Sequence, residues 1–145
     1  MSRPSARRPV RRPPSGRHSA VLRALAVAGL GVDVVVHLRL AEAFDAIGTD
    51  ITLGRLFQVE SAAAGAAAVL LAVRDSRPAW CCAGLVAAGG LAALLLTALV
   101  EVPAIGPFPP VSAPGWTPDS VVATVGMAVT VLAWLVREAL RRRTG

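Results

Sequence analysis

Four side chains in this 145-residue chain place titratable or strongly polar chemistry inside otherwise apolar sequence: Asp33, His37, Gln58 and Glu60. Asp33 and His37 are four residues apart, which puts both on one face of a helix. Two carboxyl groups and an imidazole can together hold a proton, a cation or a small polar ligand. Their surroundings make them conspicuous, because residues 24–32 and 62–73 are built only from Ala, Gly, Val and Leu. A charge at such a depth is costly and by default marks function. Two carboxyl groups sharing a low-dielectric site do not readily both ionise, so Asp33 and Glu60 should carry at most one charge between them.

The elements that position these residues follow from composition. Hydrophobic residues make up 54% of the chain and charged residues 17%, and the charges avoid several long stretches and crowd between them. A bilayer selects that distribution, since about 20 consecutive apolar residues span its core as a helix. A span must also satisfy its own backbone hydrogen bonds, and the alternative of a β-barrel needs short alternating segments rather than continuous Ala/Leu/Val runs. The apolar stretches cover residues 19–40, 53–73, 79–100 and 120–136. The expected fold class is therefore an all-α membrane protein, an antiparallel bundle of four transmembrane helices over residues 19–139. A disordered Arg/Pro-rich tail (1–18) is expected before it and a basic tail (140–145) after it. Thr117-Pro118 reads as an N-cap followed by proline in the first turn of the last span.

Arginine sets the orientation. The chain has no lysine, and of its fifteen arginines only Arg39 and Arg55 fall in the first loop, with none between Glu101 and Asp119. The other thirteen lie in the N-terminal segment, between spans two and three, and near the C-terminus. The positive-inside rule then predicts a multi-pass protein of the cell (plasma) membrane with both termini cytoplasmic. Trp80, Trp116 and Trp134 fall at span ends, where an indole is ordinarily wet at one edge. Anionic lipid headgroups are the expected partners of the Arg-rich termini. Because the arginines flank spans, the net charge of +6 gives no reason to expect a nucleic-acid partner.

Depth sharpens the site. With span centres near Leu30 and Ala63, Asp33 and Glu60 both lie roughly 4–5 Å outward of the midplane, and His37 and Gln58 roughly 8–10 Å outward. Above them Arg39, Glu42, Arg55 and Glu101 form an expected outer rim, and a polar cavity open outward is anticipated. In a functional reading the cluster holds a proton, a cation or a small ligand. In a structural reading the same groups hydrogen-bond one another and fix the register of spans one and two, with modest energies of ~0.6 kcal/mol each. The structural reading is preferred on sequence grounds. Gly84/Ala88 and Gly89/Ala93 offer the four-residue spacing that lets helices approach closely.

Other chemistry finds little support. His18 lies in the tail, so His37 has no second imidazole for a haem, and no ligand spacing suggests a metal. Cys81-Cys82 sits on the reducing side and reads as packing rather than as a disulfide. No phosphate loop or nucleophile elbow is present, and no cofactor is expected.

His37 late in the first span, Leu56-Phe57-x-x-Glu60 at the start of the second and Gly106-Pro107-Phe108-Pro109 before the fourth give a pattern that resembles small four-span integral membrane proteins of actinobacteria, mostly uncharacterised. The resemblance implies a four-helix bundle and brings no activity with it. A non-enzymatic accessory or interaction protein, with a homo-oligomer or another membrane protein as partner, is the first expectation. A small transporter or ion- and proton-binding protein is the alternative, and a quinone-linked redox subunit the second alternative.

Overall fold

The computed structural model describes residues 16–45, 51–101, 103, 106, 110 and 116–144. It is all-helical: α1 (Gly16–Ala43), α2 (Leu53–Val73), α3 (Arg77–Leu99) and α4 (Pro118–Thr144). Each helix is long and apolar enough to cross a membrane. The helices outrun the apolar stretches at both ends of the chain. Residues 16–18, assigned to the tail from their charge, form the first turn of α1, and α4 runs on through residues 140–144 of the expected C-terminal tail. Apolarity measures the membrane thickness, whereas a helix stops only where its backbone bonds do. Ala, Leu and Arg near the end of α4 are all good helix formers. Residues 1–15 and most of the proline-rich loop lie outside the described residues.

Side-chain caps define the helix starts. The Thr52 hydroxyl accepts from Arg55 N–H at 3.2 Å and opens α2, and the Ser76 hydroxyl accepts from Ala79 N–H at 3.4 Å and opens α3. At α4, Thr117 and Ser120 cap each other. Ser120 N–H donates to the Thr117 hydroxyl at 3.2 Å, and Thr117 N–H donates to the Ser120 hydroxyl at 2.9 Å. Two donors that the first turn would leave without partners are satisfied in this exchange.

Helix α1 packs chiefly on α2 and α4, α3 packs on α4, and α2 and α3 touch less, with α1 and α3 nearly diagonal. The pairings run in opposite order along neighbouring helices. Ser19, early in α1, meets Asp75, just beyond α2, whereas Phe44, just after α1, accepts a bond from Gly54 near the start of α2. The end of the bundle holding Gly16, residues 74–76 and the end of α4 is here termed basal, and the opposite end distal. Ala26, Leu30, Ala64, Ala83, Ala87 and Met127 form the centre of the core. Large apolar side chains such as Val59, Val73, Leu85 and Leu132 stand exposed on the outer faces, where a bilayer would solvate them.

Helices α1 and α4 cross backbone to backbone at two glycines. A Cβ on Gly29 would collide with the Gly126 carbonyl oxygen and, at 2.5 Å, with the Thr130 hydroxyl. Thr130 donates to the Ala26 and Gly126 carbonyls at 3.2 and 3.1 Å, binding α4 to α1 across the contact. Of the small residues singled out by spacing, Gly84 lies under the Trp134 ring, but a Cβ on Gly89 would meet nothing within 4 Å. Spacing lists the residues able to permit close approach, and the partner helix decides where approach occurs.

Candidate functional site

Three of the four polar residues come together in the distal half of the bundle. Asp33 is completely buried and His37 nearly so. The His37 Nδ1 lies 3.0 Å from both the Asp33 carbonyl oxygen and Asp33 Oδ1. Only the carbonyl satisfies hydrogen-bond alignment, and since a carbonyl can only accept, Nδ1 carries the proton of that bond. Glu60, half-buried on α2, is within electrostatic reach of both. Its Oε1 points at the α3–α4 side, where a Cβ on Gly90 would lie 2.7 Å from Oε1 and 2.8 Å from Met127 Sδ. Gly90 thus makes the room that Glu60 occupies.

These carboxyl groups are poorly partnered. Both Asp33 oxygens and Glu60 Oε1 are buried with no hydrogen bond among the described residues. Asp33 and Glu60 share no hydrogen bond, and the Asp33 carboxyl has the His37 Nδ1, on its own helix, at 3.0 Å. The Phe57 ring packs against His37, with centroids 5.6 Å apart, and Phe44 meets Phe57 edge-on at 5.8 Å. Asp33, His37 and Glu60 therefore form a buried polar cluster flanked by the Phe57 ring, with the imidazole one helical turn nearer the distal end than Asp33.

Gln58 does not join them. It is exposed, and Phe57 stands beside His37 in its place. Gln58 and Glu60 are two residues apart, about 200° around the helix, so one face cannot present both. The expected rim is dispersed as well, since Arg39, Glu42, Arg55 and Glu101 are all exposed. Among the described residues no group of three or more His, Cys, Asp or Glu is arranged to hold a metal ion. Cys81 and Cys82 are free thiols, each partly buried.

A second polar assembly, absent from the sequence reading, closes the basal end. Asp75, in the short α2–α3 connection, accepts from the Ser19 hydroxyl at 2.9 Å, the Trp80 indole N–H at 2.7 Å and the Arg137 guanidinium at 3.0 Å. One carboxylate so ties together α1, α3 and α4. The Arg137 guanidinium also lies 4.9 Å from the centroid of the Trp80 ring, a cation–π distance. Partial burial would by itself raise the Asp75 pKa, but the bonds from Trp80 and Ser19 and the charge of Arg137 outweigh it and hold the group below its usual value. Trp80 departs from the interfacial expectation: it is wholly buried, its polar edge satisfied by Asp75 rather than by water. The sequence signal lies in Asp75-x-x-x-x-Trp80, an acid just before an N-cap with an indole one turn inside, while arginines 74, 77 and 137 by their positions report only orientation.

No protein-family model matches the chain, and neither does any curated protein or solved structure.

Proposed function

We propose that this chain is a proton-binding membrane protein, a small carrier or proton-coupled subunit of the plasma membrane, with the basal end cytoplasmic and Asp33, Glu60 and His37 as its titrating group. One observation carries the reading: buried Asp33 has neither carboxyl oxygen hydrogen-bonded among the described residues, with Glu60 close by. A polar residue kept in a membrane helix to fix register would be expected to have its bonds formed. Buried carboxyls without an aligned hydrogen bond, Asp33 having only the His37 Nδ1 at 3.0 Å, are costly when ionised, so proton uptake is the simplest way to lower that cost. His37 relays between the distal side and the carboxyls, because an imidazole can take a proton at one nitrogen and release it from the other. Below Asp33 the core is closed by Leu30, Ala26 and the Gly29–Gly126 crossing, so exchange with the distal side is the shorter route.

The test compares wild type with Asp33→Asn and Glu60→Gln by thermal unfolding of the detergent-purified protein from pH 5 to 9. Proton binding predicts that both substitutions are neutral or stabilising and flatten a pH dependence seen in wild type. Collapse of the bundle at every pH would make the cluster a packing device and return the chain to an accessory or interaction role.

A further inference from the structure

The outer face of α2 carries a shallow groove of about 540 Å³ lined by Gly65, Ala66, Val69, Leu70, Val73 and Arg74. Five of its six residues are apolar or small, and the sixth is an arginine at the basal mouth. From Gly65 to Arg74 the helix rises about 14 Å. That is close to half of the ~30 Å hydrocarbon core, the depth of one leaflet. The groove therefore begins near the middle of the span and ends at the level where lipid headgroups lie.

The charge at that mouth is unbalanced. Arg74 is exposed, and its guanidinium has no hydrogen bond or ion pair among the described residues. Its chain neighbour Asp75 would be the natural counter-ion, but its oxygens already receive Ser19, Trp80 and Arg137. Arg77, three residues on, is likewise exposed. An occupant with an apolar chain as long as one leaflet and a negative head at its end satisfies both features.

We infer that this groove is a binding site for one anionic phospholipid of the basal leaflet, an acyl chain lying along Gly65–Val73 and the phosphate on Arg74. The small side chains of Gly65 and Ala66 leave room for the chain terminus where a bulkier residue would push it away. Attraction of anionic lipid by the basic termini would form a diffuse cloud, whereas this site selects one molecule by pairing chain length with head charge.

The probe is dioleoyl phosphatidylglycerol against dioleoyl phosphatidylcholine, titrated into the delipidated full-length protein in a neutral detergent and read by native mass spectrometry. Wild type should retain one phosphatidylglycerol in preference to phosphatidylcholine. Arg74→Gln should weaken that retention about fivefold, the loss expected for one headgroup arginine. Ala66→Phe, which fills the groove without touching charge, should weaken it comparably, and Arg142→Gln, at the exposed end of α4, should leave it within about twofold. Equal retention of the two lipids, or an Arg142→Gln loss as large as that of Arg74→Gln, would overturn the site in favour of diffuse charge attraction. A wild-type dimer that Ala66→Phe dissociates would overturn it too, by giving the face to a second copy of the chain.

Discussion

Asp33 and Asp75 are the same residue in opposite circumstances. Asp33 is fully buried midway along α1, and neither of its oxygens is hydrogen-bonded among the described residues. Asp75 sits in a three-residue connection, partly exposed, and receives three donors from three helices. The comparison separates two uses of a carboxylate. Where donors converge, as at Asp75, ionisation is stabilised and the group fastens elements together. At Asp33 the nearby donor, the His37 Nδ1 at 3.0 Å, is engaged with the backbone carbonyl, and the carboxyl lies buried without an aligned hydrogen bond. A membrane bundle has both environments because its ends meet water and headgroups, while its middle offers few donors beyond those already used by the helix backbone.

The largest expected effect tests the basal assembly. Trp80→Ala should destabilise the protein by about 3–5 kcal/mol, as a wholly buried indole is lost and its bond to Asp75 with it. Thermal unfolding in detergent reads this directly; a loss under about 1 kcal/mol would show that the assembly is ornamental to stability. Next in size, Gly29→Ala should cost about 1–3 kcal/mol, because the added methyl meets the backbone of Gly126 and cannot be accommodated by a rotamer change. Gly31→Ala, two residues away with nothing within 4 Å of its added Cβ, is the control and should be neutral or stabilising by up to about 1 kcal/mol. Equal effects at the two glycines would contradict the close α1–α4 contact at Gly29.

Asp75→Asn should come third, at about 1–2 kcal/mol, since it removes the charge opposite Arg137 from a partly exposed site. Set beside Asp33→Asn it gives the cleanest contrast, a loss at the basal aspartate against no loss or a gain at the buried one. The pH dependence has a definite sign. Because the folded Asp75 has a lowered pKa, its contribution is present in full above about pH 4 and disappears as pH falls through the folded value. The difference in melting temperature between wild type and Asp75→Asn should therefore be constant from pH 5 to 8 and shrink in stronger acid. The smallest effect is that of salt, which should narrow the same difference by screening the Asp75–Arg137 pair. A gap that widens in acid would contradict the assigned role of Asp75.

Much of the architecture was legible in the chain, because a bilayer imposes a length and a composition that a helix must meet one residue after another. The four apolar stretches and the N-cap at Thr117 are local properties, and the structure has a helix through each stretch. The Asp33–His37 pair was legible for the same reason, since an i,i+4 spacing alone places two residues on one face. Matching depth on α1 and α2 also singled out Glu60. Depth alone could not say which way a side chain points around its helix, and so it also named Gln58. The two-residue step from Gln58 to Glu60 held that information and would have excluded it.

By itself, then, the sequence determined the helices and their number, because hydrogen bonding within a helix and the apolarity needed to cross a bilayer act on contiguous residues. Only the tertiary structure decided that Ser19 of α1 and Arg137 of α4 both reach Asp75, and that Gly29 rather than Gly89 takes the close crossing. Those outcomes depend on which faces meet across 50 to 100 residues of chain, as in the 62-residue separation of Asp75 and Arg137. Side chains far apart in sequence share a hydrogen bond or a van der Waals contact only once rotation about each helix axis has been fixed, and in lipid that rotation is set by the packing of the whole bundle.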